Sequence, residues 1–160
     1  MNIFVLDSDP HVAARMLCDK HVVKMIVETA QMLCTTISIN GAKSTPYRPT
    51  PRNHPCTSWT NESKDNWDWL VSHGEEMCAE YTRRYGRTHK TQAVIEWCKA
   101  SGFAPTKHHG LTPFRQAMPV QYKNDDAVAA YRDYYYGEKA GFAKWKNGNV
   151  PAWWPASSKE

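Results

Sequence analysis

The sequence lacks the marks of several large classes of protein. No stretch reads as the run of about 20 apolar residues that a membrane span needs. The mean hydropathy of -0.67 speaks against an integral membrane protein. The five cysteines, Cys18, Cys34, Cys56, Cys78 and Cys98, are odd in number and include no CxxC pair. That excludes a disulfide framework and a standard zinc knuckle, and it predicts reduced, buried thiols in a cytoplasmic protein. HExxH, a Gly-rich phosphate loop, a GxSxG elbow and a dinucleotide fingerprint are all missing. The opening MNIFVLDSDP has no basic region of the secretory type. Internal repeats and low-complexity tracts are also lacking.

What is present fits one domain over residues 1–160. The chain has 160 residues, 41% of them hydrophobic and 22% charged, enough to bury a core without staples. Seven Trp and eight Tyr are a heavy aromatic load. Such rings either fill a core or offer flat faces to bases. Trp67, Trp97, Tyr131, Tyr135 and Trp145 fall at helical spacing and are assigned to the core. Tyr47 and Tyr85, beside cations, are assigned to base contact.

Punctuation and periodicity predict a mainly α, single compact helical domain with a short extended segment at the start. Residues 2–6 are an apolar run, read as a lone strand or an extended arm. Asp7-Ser8-Asp9-Pro10 carries a cap and a first-turn Pro and opens a short helix over about 10–17. Val22, Ile26, Ala30, Leu33 and Ile37 form an apolar stripe on a helix over 19–38. Asn40-Gly41 ends it. Residues 42–55, with four Pro, are a basic loop. A second long helix is predicted over about 56–85 and a third over 89–100. Residues 102–123 are loop-rich, and Asn124-Asp125-Asp126 opens a last helix to about Trp145. The tail Val150-Pro-Ala-Trp-Trp-Pro155 reads as a packed strap.

Two patterns point to chemistry. On the 19–38 helix, His21, Lys24, Glu28, Gln31 and Thr35 follow one another at steps of three and four, which puts them on one line. An imidazole, an amine, a carboxylate and an amide in a row can move protons, supply a nucleophile and donate hydrogen bonds. A solvated face with a Lys24–Glu28 ion pair is the plainer reading of the same spacing. The second pattern is charge segregation. The formal net charge is only +4. Between Glu28 and Glu62 the loop cations Lys43, Arg48 and Arg52 have no acid among them. Residues 81–124 hold eight cations and one acid, while 62–80 hold six acids and one Lys. Placed on separate faces, these segments would give one strongly positive side suited to a phosphate backbone. The densest part, Arg83-Arg84-Tyr85-Gly86-Arg87-Thr88-His89-Lys90, lies at a helix–loop–helix junction. The histidines show no zinc spacing, so neither a metal nor another cofactor is expected. A metal-dependent hydrolase built on His21, Glu28 and His54 would need folding to assemble it.

The order Asp19-Lys20-His21 with Glu28 seven residues on, Asn53-His54-Pro55, and Glu80-Tyr81 leading into Arg84-Tyr85-Gly86 resembles the pyrimidine-dimer DNA glycosylase family, the endonuclease V type of T-even phages. The resemblance covers roughly residues 15–90. It implies a small helical enzyme that excises a damaged or modified pyrimidine and cuts the abasic strand through a Schiff base on its N-terminal amine. DNA is the implied partner, through its backbone and an extruded base, with no membrane involved. Glu28 would be the catalytic carboxylate and His21 the motif histidine. His54 would sit at the HP turn. The charge pattern and the polar line, taken with this resemblance, assign backbone contacts to Gln31, Arg48, Arg52, His54, Arg83, Arg84, Arg87 and Lys90. The sequence departs from the family at Val27 and Gln31, where the family carries arginines. It also has Asn2, where the family exposes a small residue by losing Met1. The amine could therefore be the N-terminus or Lys24, or water could take its place. A catalytically inactive DNA- or nucleotide-binding phage protein, acting in host takeover or anti-defence, is the alternative.

Overall fold

The computed structural model describes residues 1–42, 44–147 and 149–155. Six α-helices and one 3-10 turn make up its regular structure, with no strand among the described residues. The helices are α1 (Pro10–Arg15), α2 (Asp19–Ile39), α3 (Pro55–Thr60), α4 (Lys64–Tyr85), α5 (Gln92–Ala100) and α6 (Ala127–Lys139), and the 3-10 turn is Val120–Tyr122. Most ends follow the local sequence. The Asp9 carboxylate accepts from the His11 and Val12 amides, with Pro10 in the first turn. Ser63 caps α4 by accepting from Asn66. Gly86, at φ +70°, ends α4 in the left-handed conformation.

The expected 56–85 helix is two helices. The chain breaks at Asn61-Glu62-Ser63, because Ser63 is buried and uses its hydroxyl as a new cap. The last helix stops at Lys139, short of Trp145. Beyond it, the Lys144 carbonyl accepts from the Asp19 amide, the Lys146 amide donates to the Asp19 carboxylate, and the Trp145 indole donates to the Met16 carbonyl. The tail thus supplies partners around the start of α2, whose own cap residue, Cys18, makes no side-chain cap bond.

α2 is the centre of the core. Val22, Ile26, Ala30 and Leu33 are fully buried and Ile37 nearly so. α1 and α2 lie against α4, while α5 touches both α2 and α4. By length and composition alone α2 could cross a membrane, contrary to the expectation from sequence. Its most apolar window has a hydropathy of 1.3, and 61% of that window is buried in the fold. It is a core helix here, and the apolarity serves packing on three sides.

Residues 2–6 are an extended arm, buried throughout. Phe4 stacks on His21 at 4.4 Å and meets Tyr135 edge-on at 5.4 Å. The Leu6 carbonyl accepts from Arg132. All five cysteines are free and buried, as expected. Trp67 is buried, but Trp97 is 41% exposed, so its place on the core side of α5 is corrected. Nine residues give α5 a narrow buried face, taken up by Ile95 and Cys98.

Candidate active site

The buried arm delivers the start of the chain to the middle of α2. The Met1 amine lies 3.5 Å from the Glu28 carboxylate. The backbone amide of Asn2 donates to the same oxygen, Oε1, at 3.0 Å. Both side chains are largely covered, at 13% and 14% exposure. Lys24, one turn before Glu28 and 67% exposed, approaches the other oxygen at 3.9 Å. A carboxylate held between two amines at the protein surface is the arrangement the site presents.

Asn2 makes this placement rigid. Its Oδ1 accepts from the Ile3 amide at 2.8 Å, the Tyr131 hydroxyl at 3.0 Å and the Cys56 thiol at 3.7 Å. Its Nδ2 donates to the Ala117 carbonyl at 2.9 Å. A buried amide with these bonds has one orientation. Met1 is also held from the side, where the Thr50 hydroxyl points at its sulfur. Thr50 in turn bonds Thr35 on α2.

His54 caps α3 through Nδ1, which accepts the Cys56 amide. That leaves Nε2 to carry the proton of the neutral ring. Its pKa lies below the ordinary value, first from burial and then from the positive N-terminus, against the opposing pull of Glu28 and the Met1 backbone. His54 therefore belongs electrostatically to the same site as Met1 and Glu28. Burial raises the Cys56 thiol to about 11, which keeps it protonated beside them.

The other residues singled out by sequence divide sharply. His21 is only 5% exposed and faces the interior. Its Nδ1 meets the Tyr135 hydroxyl at 2.7 Å, and its ring lies against Phe4, Tyr135 and Phe142. Burial, then the charges of Lys139, Lys24 and Lys20, lowers its pKa to about 3, so it is a neutral core ring. The groups its ring touches, Phe4, Tyr135 and Phe142, are not hydrogen-bond or ion-pair partners of Glu28, whose partners are Met1, Asn2 and Lys24. A His21–Glu28–His54 ligand set does not form, and the described residues hold no cluster of three metal-ligating side chains.

Arg84 is not available to a phosphate. Its side chain is fully buried, bonded to Glu80 at 2.7 Å, Asp19 at 3.0 Å and the Arg15 carbonyl at 3.1 Å. Arg83 is half exposed but paired with Glu76 and Glu80. Lys99 pairs with Glu75, and Arg115 with Glu62. Half of the eight cations in residues 81–124 thus fold back onto the acids of 62–80. The expected separation of charge into opposite faces is corrected to a pairing between neighbouring segments.

Arg48, Arg52, Arg87 and Lys90 are exposed, and Gln31 is half-buried. Contacts place their loops around the Glu28 line. Tyr47 bonds Thr91 at 2.6 Å, and His89 reaches the Val23 carbonyl at 3.1 Å. The Tyr47 hydroxyl is thereby engaged, and the Tyr85 ring lies under Lys146 and against Tyr81.

Sequence reasoning missed Asn2 as the anchor and Ala117 as its partner. The signal for Asn2 was a polar side chain heading an otherwise apolar run. Nothing local marks the Ala117 carbonyl.

An α-amine set against a carboxylate at the edge of the central helix is the chemical feature of this helical fold. Residues 1–93 match the pyrimidine dimer DNA glycosylase family, and the chain belongs to it. No curated protein and no solved structure matches the chain.

Proposed function

We propose that the protein is a DNA N-glycosylase that removes a damaged or modified pyrimidine and then cuts the abasic strand as a lyase. The observation that carries this reading is the Met1 amine 3.5 Å from Glu28. In the reaction, the neutral amine attacks C1′ of the deoxyribose and the glycosidic electron pair leaves with the base, which is protonated. Glu28 stabilises the positive charge that develops on the sugar. Loss of the amine proton and opening of the ring give an imine. Abstraction of a C2′ proton then expels the 3′ phosphate by β-elimination. Glu28 is within reach of the amine for these proton transfers.

Arg48, Arg52, Arg87 and Lys90, with Gln31 and His54, are assigned to the DNA backbone. They lie on α2, the 44–54 loop and the 86–91 junction, which are joined through Thr50–Thr35, Tyr47–Thr91 and His89–Val23. This arrangement would do from the loops what arginines at Val27 and Gln31 would do from the helix. Lys24 is the competing amine, with its long exposed stem and its place beside Glu28.

The test is a duplex oligonucleotide carrying a thymine dimer, incubated with the protein and borohydride. A trapped adduct that maps to the N-terminal peptide supports the reading, and one that maps to Lys24 moves the nucleophile. Strand cleavage without an adduct removes the imine step. Salt-dependent binding without any product, over a panel of modified pyrimidines, would establish the DNA-binding alternative. The departures at Val27 and Gln31 favour that alternative.

A further inference from the structure

The most exposed large apolar side chain in the described chain is Val120, at 80%. A single exposed valine is ordinary on a protein surface. Its mounting is not ordinary. The loop that carries it is closed at its base by two bonds between Gln116 and Asn124, at 2.6 and 2.9 Å. On one side the Ala117 amide donates to Tyr131, and the Ala117 carbonyl accepts from Asn2. On the other side Tyr122 lies against Tyr134, and its hydroxyl donates to Glu138. Tyr122 needs a glycine beneath it, since a Cβ at Gly137 would come within 2.4 Å of its hydroxyl. The tip is therefore a rigid apolar point on a loop held from both ends.

The loop is tied to the site through Asn2. Asn2 bonds Glu28 through its amide and Ala117 through its side chain. Val120 is three residues beyond Ala117, no more than about 11 Å along the backbone. Beside the loop opens a cleft of about 730 Å³ whose lining includes Pro55, Arg115, Lys123 and Asp125. Arg115 is paired with Glu62, and Lys123 is exposed.

Resting on the glycosylase reading above, we infer that Val120 is a wedge that enters the base stack of duplex DNA at the lesion and fills the gap left by the extruded nucleotide. Chemistry on a base requires that base to leave the stack, and the opened step favours a rigid apolar group in its place. The loop suits this, because the Gln116–Asn124 clamp keeps the tip from folding away and Lys123, three residues from the tip, is an exposed cation.

The experiment compares wild type with Val120→Ser and Val120→Leu on one lesion in two settings: a fully paired duplex, and a mismatched bubble in which stacking is already broken. Val120→Ser is expected to slow single-turnover cleavage of the duplex by about tenfold while staying within about twofold of wild type on the bubble. Val120→Leu is expected to restore the duplex rate. A 2-aminopurine beside the lesion should brighten with wild type and stay dim with Val120→Ser. Gly137→Ala, which displaces Tyr122, should act in the same direction and more weakly. The wedge is overturned by a duplex rate unchanged in Val120→Ser, by an equal loss on both substrates, or by a wild type that cuts the duplex but not the bubble. A wild type that cuts neither substrate overturns the glycosylase reading, and the wedge with it.

Discussion

The first turn of α2 and the two turns that follow it behave in opposite ways. Asp19 and His21, in the first turn, are tied inward. Asp19 holds Arg84 and the Lys146 amide, and His21 holds Phe4 and Tyr135. Lys24 and Glu28, one and two turns on, meet only each other and the start of the chain. The residue types are equally suited to catalysis in both halves. What separates them is what lies opposite: the arm and tail pack over the first turn, while beside Glu28 the arm ends and Lys24 is left exposed. A polar motif acquires a chemical role from the space its neighbours leave, and a structural one where they close in.

Glu28→Gln is the severest test of this contrast. It should lower product formation by a factor on the order of 10³ and leave the melting temperature nearly unchanged, since it removes a charge that acts on the developing sugar cation. Unfolding of the variant, or full activity, would erase the distinction between the two halves. Next comes Arg84→Ala. It leaves Glu80 and Asp19 without their buried partner and should cost about 3–5 kcal/mol in urea denaturation. A mere change in DNA affinity would return Arg84 to the interface.

His21→Phe keeps the ring stack on Phe4 and removes the bond to Tyr135. It should destabilise by about 1–3 kcal/mol while kcat stays within about tenfold of wild type. A soluble, folded variant without chemistry would make His21 catalytic. The same residue sets a pH dependence. The unfolded chain protonates His21 near 6.5, whereas the folded chain refuses the proton until about pH 3. Stability should therefore be full above pH 6.5 and fall as the pH drops from there towards 3, because the unfolded state binds more protons in that window. His73, buried and lowered to about 4, adds to the same slope. His21→Phe should flatten the slope in melting experiments. The smallest effects are expected for Arg48→Ala and Arg52→Ala. Neither should alter stability, and each should reduce the slope of log affinity against log salt by roughly one.

Much of the fold was readable because it is written in local rules. The Asp9-Pro10 start, the α2 stripe and the Gly86 stop depend on residues within a few positions of one another. The break at Ser63 was less visible, since a buried Ser can be a helix residue or a cap, and the Asn66 amide decides between them. The site was half readable. Lys24 and Glu28 declare themselves by spacing. The inward turn of His21 does not, because its partners Phe4, Tyr135 and Phe142 come from both ends of the chain. The charge pattern misled for the same reason: local counts register that 62–80 is acidic and 81–124 basic, but whether the two meet is a tertiary fact.

The arm has a consequence for how the molecule is made. Residues 1–6 are made long before the residues they pack on. Ala117 lies 115 residues after Asn2, Tyr131 lies 129 after it, and Arg132 lies 126 after Leu6. At about 5–20 residues per second, the arm waits on the order of ten seconds for them. Such long loops close slowly, after the helices have formed. The placement of Met1 beside Glu28 is thus fixed late in folding, once residues 117–132 have been made and packed on the arm.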